Sequence, residues 1–205
     1  EFSSPAFFRS ICNVFEVVRP NQKERGQLRG SKKRRCGRTS NRRLLFHGAP
    51  MGVVASILCS GLRIMPGSGG RLGRGIYLAD MASKSGYYAR PTMSGLACLF
   101  LCEAECGRPF VVTSDSRKAS SRARPPKNFN SVQAHGTVVP NPKDDIKISF
   151  GSNEVTFSTG EPTLRKLQDH DHYTFGHNEY VLYEEKKVRL RYVILLDTKV
   201  PILGL

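Results

Sequence analysis

Tryptophan is absent from this 205-residue chain, and acids are scarce: 17 Asp and Glu stand against 32 Lys and Arg, a formal net charge of +15. Also missing is any run near the roughly 18 consecutive apolar residues that a membrane span requires. The first residues, Glu1-Phe2-Ser3-Ser4-Pro5, lack the basic-then-apolar order of a signal peptide. These absences predict a chain neither secreted nor inserted in a membrane. The six cysteines (Cys12, Cys36, Cys59, Cys98, Cys102, Cys106) include no C-x-x-C pair. A chain of this length can bury a core without disulfides or metals, so they read as reduced thiols. There is no internal repeat or low-complexity linker, and residues 1–205 are expected to form a single domain.

What is present in excess is positive charge, and it is concentrated. From Arg19 to Arg43 there are eleven Lys and Arg against the single acid Glu24, a net +10. The centre of that stretch, Gly30 to Arg38, has almost no apolar anchor and reads as an exposed loop. A second basic loop, residues 117–127, carries Arg117, Lys118, Arg122, Arg124 and Lys127 around Pro125-Pro126, with no acid inside it. Both loops, 19–43 and 117–127, would attract nucleic acid or another polyanion through counterion release. The plainer reading is a solvated surface. Neither loop interleaves aromatics for base stacking, and Lys32 to Arg35 fits only a weak nuclear-import signal.

Short runs rich in β-branched, Leu and aromatic residues predict strands at 11–18, 43–47, 76–79, 96–103, 146–150, 154–157, 179–183 and 188–196. The last two, separated by the charged residues 184–187, read as an antiparallel hairpin. Two stretches read as helices: 51–60, closed by Gly61, and 82–89, capped by Asp80 and stopped before Pro91. The predicted class is α+β, strand-dominated, with few short helices. Cys98, Cys102 and Cys106 recur every four residues, which on a helix would suggest zinc. Within the run Leu96 to Cys106, however, strand alternation puts these thiols and Ala104 on one face and Glu103 and Glu105 on the other. His170, His172 and His177 likewise could bind a metal, but they lie among Asp and Thr in what reads as a loop. No metal site is expected.

Gly67 to Gly75 is glycine-rich, yet no frame gives G-x-G-x-x-G before a helix, and there is no G-K-[ST]. Dinucleotide-fold and P-loop sites are excluded on pattern, leaving a surface loop or one that covers a ligand. Three separated segments are more specific. Leu44-Leu45-Phe46-His47-Gly48 ends a strand in His-Gly; Gly75-Ile76-Tyr77-Leu78-Ala79-Asp80 leads into Ser83-Lys84-Ser85-Gly86-Tyr87-Tyr88; His177-Asn178-Glu179-Tyr180 opens the last pair of strands.

With these segments, and with Ser60-Gly61-Leu62-Arg63-Ile64-Met65-Pro66 and Gly73-Arg74-Gly75, the sequence resembles the catalytic domain of the poly(ADP-ribose) polymerase family. These are diphtheria-toxin-like ADP-ribosyltransferases with a His, Tyr, Glu signature. The resemblance runs from about Val14 to the C-terminus, and the Gly61 to Pro66 segment is most similar to a DNA-break-responsive nuclear branch. It implies two packed antiparallel sheets, NAD+ as substrate, no metal, transfer of single or short ADP-ribose units to protein acceptors or DNA ends, and a nuclear or nucleo-cytoplasmic location.

The resemblance also implies roles. Cleavage of the nicotinamide glycosidic bond passes through an oxocarbenium-like state, so the site mainly needs charge placement. Glu179 would hold the ribose 2′-hydroxyl and stabilise the developing positive charge. Tyr88 would stack on the nicotinamide with Tyr77 as the other wall. Gly48 and Ser85 would hold the carboxamide, and His47 the adenosine ribose. Arg63 and Gly73 are further expected NAD+ contacts; Lys84 belongs with them or near the acceptor, and the loop 66–75 would close over the cofactor. Tyr87, Tyr180 and Tyr183 read as core or surface aromatics.

Three departures matter. Phe46 stands where the family usually has Trp, Ala49 removes a hydroxyl after His-Gly, and His177 stands where chain-elongating members often have Tyr. The last disfavours long polymer. The helical regulatory domain that precedes the catalytic domain in DNA-dependent members is not expected within this chain, which should bind NAD+ without DNA. The competing functions are a basic nucleic-acid-binding module with a vestigial NAD+ pocket and a glycohydrolase-like activity with water as acceptor.

Overall fold

The computed structural model describes residues 8–18, 41–67, 69–166 and 172–198. Most of the first basic loop, with Cys36 and His170, lies outside them. Among the described residues twelve strands and three short helices follow one another: β1 (Phe8–Glu16), β2 (Arg42–Gly48), α1 (Val54–Ser60), β3 (Ile76–Leu78), α2 (Ala82–Gly86), β4 (Leu96–Glu105), β5 (Pro109–Val112), α3 (Arg117–Ser120), β6 (Ser131–Ala134), β7 (Val138–Pro140), β8 (Asp145–Phe150), β9 (Asn153–Ser158), β10 (Pro162–Leu164), β11 (Glu179–Leu182) and β12 (Val188–Thr198). They make a six-stranded sheet, β1-β12-β4-β2-β9-β8, a four-stranded sheet, β3-β11-β6-β5, and a two-stranded ribbon, β10-β7. Pairing is antiparallel except between β2 and β9 and between β5 and β6.

The core lies between the two larger sheets. Strand β4 turns Cys98, Phe100, Cys102 and Ala104, with Cys106 just past its end, toward Leu45 of β2, Ile76 and Leu78 of β3, Tyr180 and Leu182 of β11 and Leu190 of β12. That is the face the alternation predicts for the thiols, and a strand there replaces the helical zinc arrangement. Burial pushes the Cys98 thiol up to about 11 and Cys106 to about 12. Phe100 is wholly buried, so truncating it to Ala would cost about 3–5 kcal/mol. On the other face of β4, Glu103 is buried but paired: Arg42 Nη1 donates to it at 2.8 Å and Arg191 Nε at 2.8 Å.

Three local expectations are corrected. The strands expected to form a C-terminal hairpin do not pair: β11 sits between β3 and β6, and β12 between β1 and β4. All four β11 residues are buried, as suits a central strand, and a single 3-10 turn at Glu185–Lys187 carries the chain from one sheet to the other. Asp80 does not cap α2. Met81 occupies that position without a side-chain bond, because the Asp80 carboxylate is taken by Asn178 Nδ2 at 2.7 Å and Tyr180 OH at 3.0 Å. Helix α2 also ends at Gly86 rather than Ala89, whereas the 51–60 segment forms as a 3-10 turn running into α1 and closes at Gly61, φ 82°.

Candidate active site

The two sheets meet where β2 and β3 touch. Phe46 N–H donates to Ala79 O at 2.7 Å and Ala79 N–H to Phe46 O at 2.9 Å, a backbone bridge between strands of different sheets. It sets His47 beside Tyr77, and His47 Nδ1 lies 2.8 Å from Tyr77 O. A carbonyl only accepts, so Nδ1 carries the proton and Nε2 is left as an acceptor. Burial pulls the His47 pKa below the usual histidine value, only partly offset by the Tyr77 carbonyl, so the ring is neutral at pH 7.

Next along β2, Gly48 is pressed against α2. A Cβ there would lie 1.9 Å from Ser85 O, so only glycine lets the strand end approach this helix. Helix α2 in turn delivers Lys84 and Ser85, with Tyr88 just beyond its end. The Tyr77 ring is covered by the glycine-rich loop: its OH donates to Gly73 O at 2.7 Å and accepts from Leu72 N–H at 3.0 Å. Desolvation, opposed by the Leu72 bond and reinforced by Glu179 and Tyr88, pushes the Tyr77 pKa up to about 12, so its hydroxyl stays protonated. Gly70 is the close neighbour here, since a Cβ on it would fall 2.7 Å from the Tyr77 ring.

Glu179 opens β11, opposite Ala134 of β6. Its Oε1 accepts from Lys84 Nζ at 2.8 Å, both side chains being mostly buried. Desolvation works against the Lys84 ammonium, but the Glu179 bond and charge, with Tyr88, outweigh it and raise the Lys84 pKa above the usual lysine value. Nζ also lies 5.6 Å from the centre of the Tyr88 ring. The residues flanking Glu179 are held from behind: besides their bonds to Asp80, Asn178 Oδ1 accepts from Gly136 N–H and Arg165 Nη2, each at 3.0 Å.

These groups enclose a cleft of about 280 Å³ lined by His47, Gly48, Gly69, Gly70, Arg71, Tyr77, Leu78, Ala79, Lys84, Ser85, Tyr88 and Glu179. Seven of the nine expected site residues meet there. The other two do not line it. Arg63 is outside, its Nε 2.9 Å from Glu185 Oε2, and Gly73 acts behind the wall by accepting from Tyr77. Tyr180 and Tyr183 are buried, Tyr87 is exposed, and His177 is half-buried. Of the five lining residues that sequence reasoning did not single out (Gly69, Gly70, Arg71, Leu78 and Ala79), Arg71 is the charged one, and its stretch was read for its glycines. Among the described residues no group of three His, Cys, Asp or Glu could hold a metal ion.

Such a cleft at the junction of two sheets, walled by His, Tyr and Glu from three different strands, is that of a catalytic domain, and residues 3–198 match the poly(ADP-ribose) polymerase catalytic domain. The chain belongs to that family. It is 35% identical over 186 residues to "Protein mono-ADP-ribosyltransferase PARP3" of Gallus gallus, covering 91% of this chain and 33% of that protein. It is 39% identical over 188 residues to the protein of the same name from Homo sapiens, covering 90% and 33%. "Poly [ADP-ribose] polymerase 2" of Homo sapiens is 29% identical over 192 residues, covering 90% and 30%. The chain thus spans about a third of the length of these relatives.

Proposed function

We propose that this chain is an NAD+-dependent ADP-ribosyltransferase that places single or short ADP-ribose units on protein acceptors. The observation that carries the reading is the convergence of His47, Tyr77 and Glu179 on one cleft, with the Glu179 carboxylate anchored by Lys84 at 2.8 Å. In the reaction the C1′–N bond of the nicotinamide ribose breaks, nicotinamide leaves as a neutral base, and an acceptor oxygen bonds C1′ as its proton passes to solvent. Glu179 stabilises the positive charge that builds on the ribose by holding its 2′-hydroxyl. Gly48 backbone groups and the Ser85 hydroxyl hold the carboxamide, the Tyr77 and Tyr88 rings flank the nicotinamide, and neutral His47 receives the adenosine ribose through Nε2. Lys84 fixes the orientation of Glu179. His177 beside Glu179 and the names of the PARP3 relatives favour single over polymeric transfer.

Residues 1–205 work as one catalytic domain, without DNA, in a nuclear or nucleo-cytoplasmic setting. Nucleic acid is a secondary partner of the basic loops. What supports this is their excess of Lys and Arg, which gains counterion-release energy on a phosphate backbone.

The test is nicotinamide release from radiolabelled NAD+ and label retained on protein in a denaturing gel, for wild type and Glu179→Gln. A sharp labelled band reduced about 10²–10³-fold in the variant is expected. A smear would mean polymer. No turnover by folded wild type, with an oligonucleotide still retained, would favour the binding module.

A further inference from the structure

Four of the side chains lining the cleft carry, or could carry, a full charge near neutrality: His47, Arg71, Lys84 and Glu179. His47 is neutral, and Lys84 and Glu179 neutralise each other at 2.8 Å. Arg71 remains, and its counter-ion Asp115 is not part of the wall. The Arg71 guanidinium is fixed on three sides. Nε donates to Asp115 Oδ2 at 2.8 Å, Nη2 donates to Thr174 Oγ1 at 2.6 Å, and Cζ lies 3.9 Å from the centre of the buried Phe175 ring. Thr174 Oγ1 is itself held, donating to Asp115 Oδ1 at 2.9 Å.

The backbone on either side is equally constrained. Gly70 packs on the Tyr77 ring, and Leu72, fully buried, bonds through N–H to Tyr77 OH and through O to Tyr183 OH at 2.6 Å. Among the described residues nothing accepts from Nη1. A guanidinium locked in this way offers its remaining donors to an anion with little rotamer entropy left to lose. The bond from Arg71, with that from Thr174, holds the Asp115 carboxyl well below the usual range, so the pair stays ionised at neutral pH.

Resting on the NAD+ reading above, we propose that Arg71 is the phosphate-binding residue of the cleft and contacts the pyrophosphate of the bound dinucleotide. NAD+ lying between the Gly48 and Ser85 end and His47 must carry two phosphate charges across a wall whose other charges are paired within it, and Arg71, whose counter-ion Asp115 lies outside the wall, supplies a cation there. Asp115, Thr174 and Phe175 are positioning residues that aim it.

The test uses two fragments of the substrate. Affinities for nicotinamide, which has no phosphate, and for ADP-ribose are measured by calorimetry on wild type, Arg71→Gln and Arg71→Lys, together with KM and kcat for NAD+. Arg71→Gln should weaken ADP-ribose and raise KM by about 10–100-fold, the range for hydrogen bonds to a charged group, while nicotinamide stays within about twofold. Arg71→Lys should recover part of the loss. Asp115→Asn, which keeps the guanidinium but loosens its hold, should give a smaller change of the same pattern if Arg71→Gln does not fold. ADP-ribose binding unchanged in Arg71→Gln, or both fragments lost equally as from loop collapse, would overturn the proposal. Wild type binding neither fragment would overturn the NAD+ reading itself.

Discussion

Replacing Gly48 by Ala is the sharpest probe of how the site is built. The added Cβ would lie 1.9 Å from Ser85 O, 2.9 Å from Ser85 C and 3.1 Å from Ala89 N. All three are backbone atoms, so no rotamer change relieves the clash. To reach even a tight contact, the end of β2 and helix α2 must part by roughly 1–1.5 Å, since close-packed interiors leave no slack to absorb it. Overpacking of this kind costs about 1–3 kcal/mol of stability. For a domain of this size that is a fall in Tm of about 2–4 °C per kcal/mol. The functional loss should be larger, because the same parting separates the Gly48 backbone from Ser85, the two groups assigned to the carboxamide. A misplacement near 1 Å costs on the order of 10²-fold in rate. The assay is kcat/KM for NAD+ with nicotinamide affinity alongside and a thermal melt as control. A variant with wild-type Tm and kcat/KM within about twofold would refute the geometry.

Tyr77→Phe removes an acceptor from Leu72 N–H and a donor to Gly73 O; about 1–3 kcal/mol should be lost and the glycine-rich loop loosened, seen as a raised KM for NAD+ and a lowered Tm. Asp80→Ala leaves Asn178 Nδ2 and Tyr180 OH without their buried acceptor and should cost about 2–5 kcal/mol, with kcat reduced, whereas Asp80→Asn, which can still accept both bonds through one oxygen, should recover most of both losses on the same melt and turnover assays. For pH, His47 protonates lower in the folded than in the unfolded chain, so its contribution is fully present above about 6.5 and stability falls as pH drops from there through its folded pKa. Lys84 shifts the other way: its contribution is full below about 10.5 and is lost as pH rises through the raised folded value. A broad plateau of melting temperature between these limits is the expected profile, and Lys84→Met should lower the plateau while losing the part of the alkaline fall that Lys84 contributes.

The strands legible in the sequence were those with a continuous or alternating apolar pattern, such as β4 with its row of thiols. β5, β6, β7 and β10 were not expected, being three or four residues long and mixed in polarity; Ser131-Val132-Gln133-Ala134 is a strand because β5 and β11 flank it, not because of its own composition. Alternation identified β11 and β12 as strands but says nothing of partners, so adjacency suggested a hairpin where the chain in fact changes sheets. The site divides along the same line. His47, Tyr77 and Glu179 were found through resemblance to a family, since a strand-end His or an isolated Glu carries no local signal of its own.

What no local pattern could show is what aims these groups. Arg71 is held by Asp115 and Thr174, 44 and 103 residues further on. Asp80, whose sequence position suits a helix cap, instead accepts from Asn178 and Tyr180, 98 and 100 residues away. A cap contributes about 1 kcal/mol at an exposed helix end, whereas two buried donors left without an acceptor cost more, so the tertiary bonds win the carboxylate. The outcome couples catalysis to folding. The bonds that override the local rule fix the residues on both sides of Glu179, so the carboxylate comes into position only once α2 and β11 have docked.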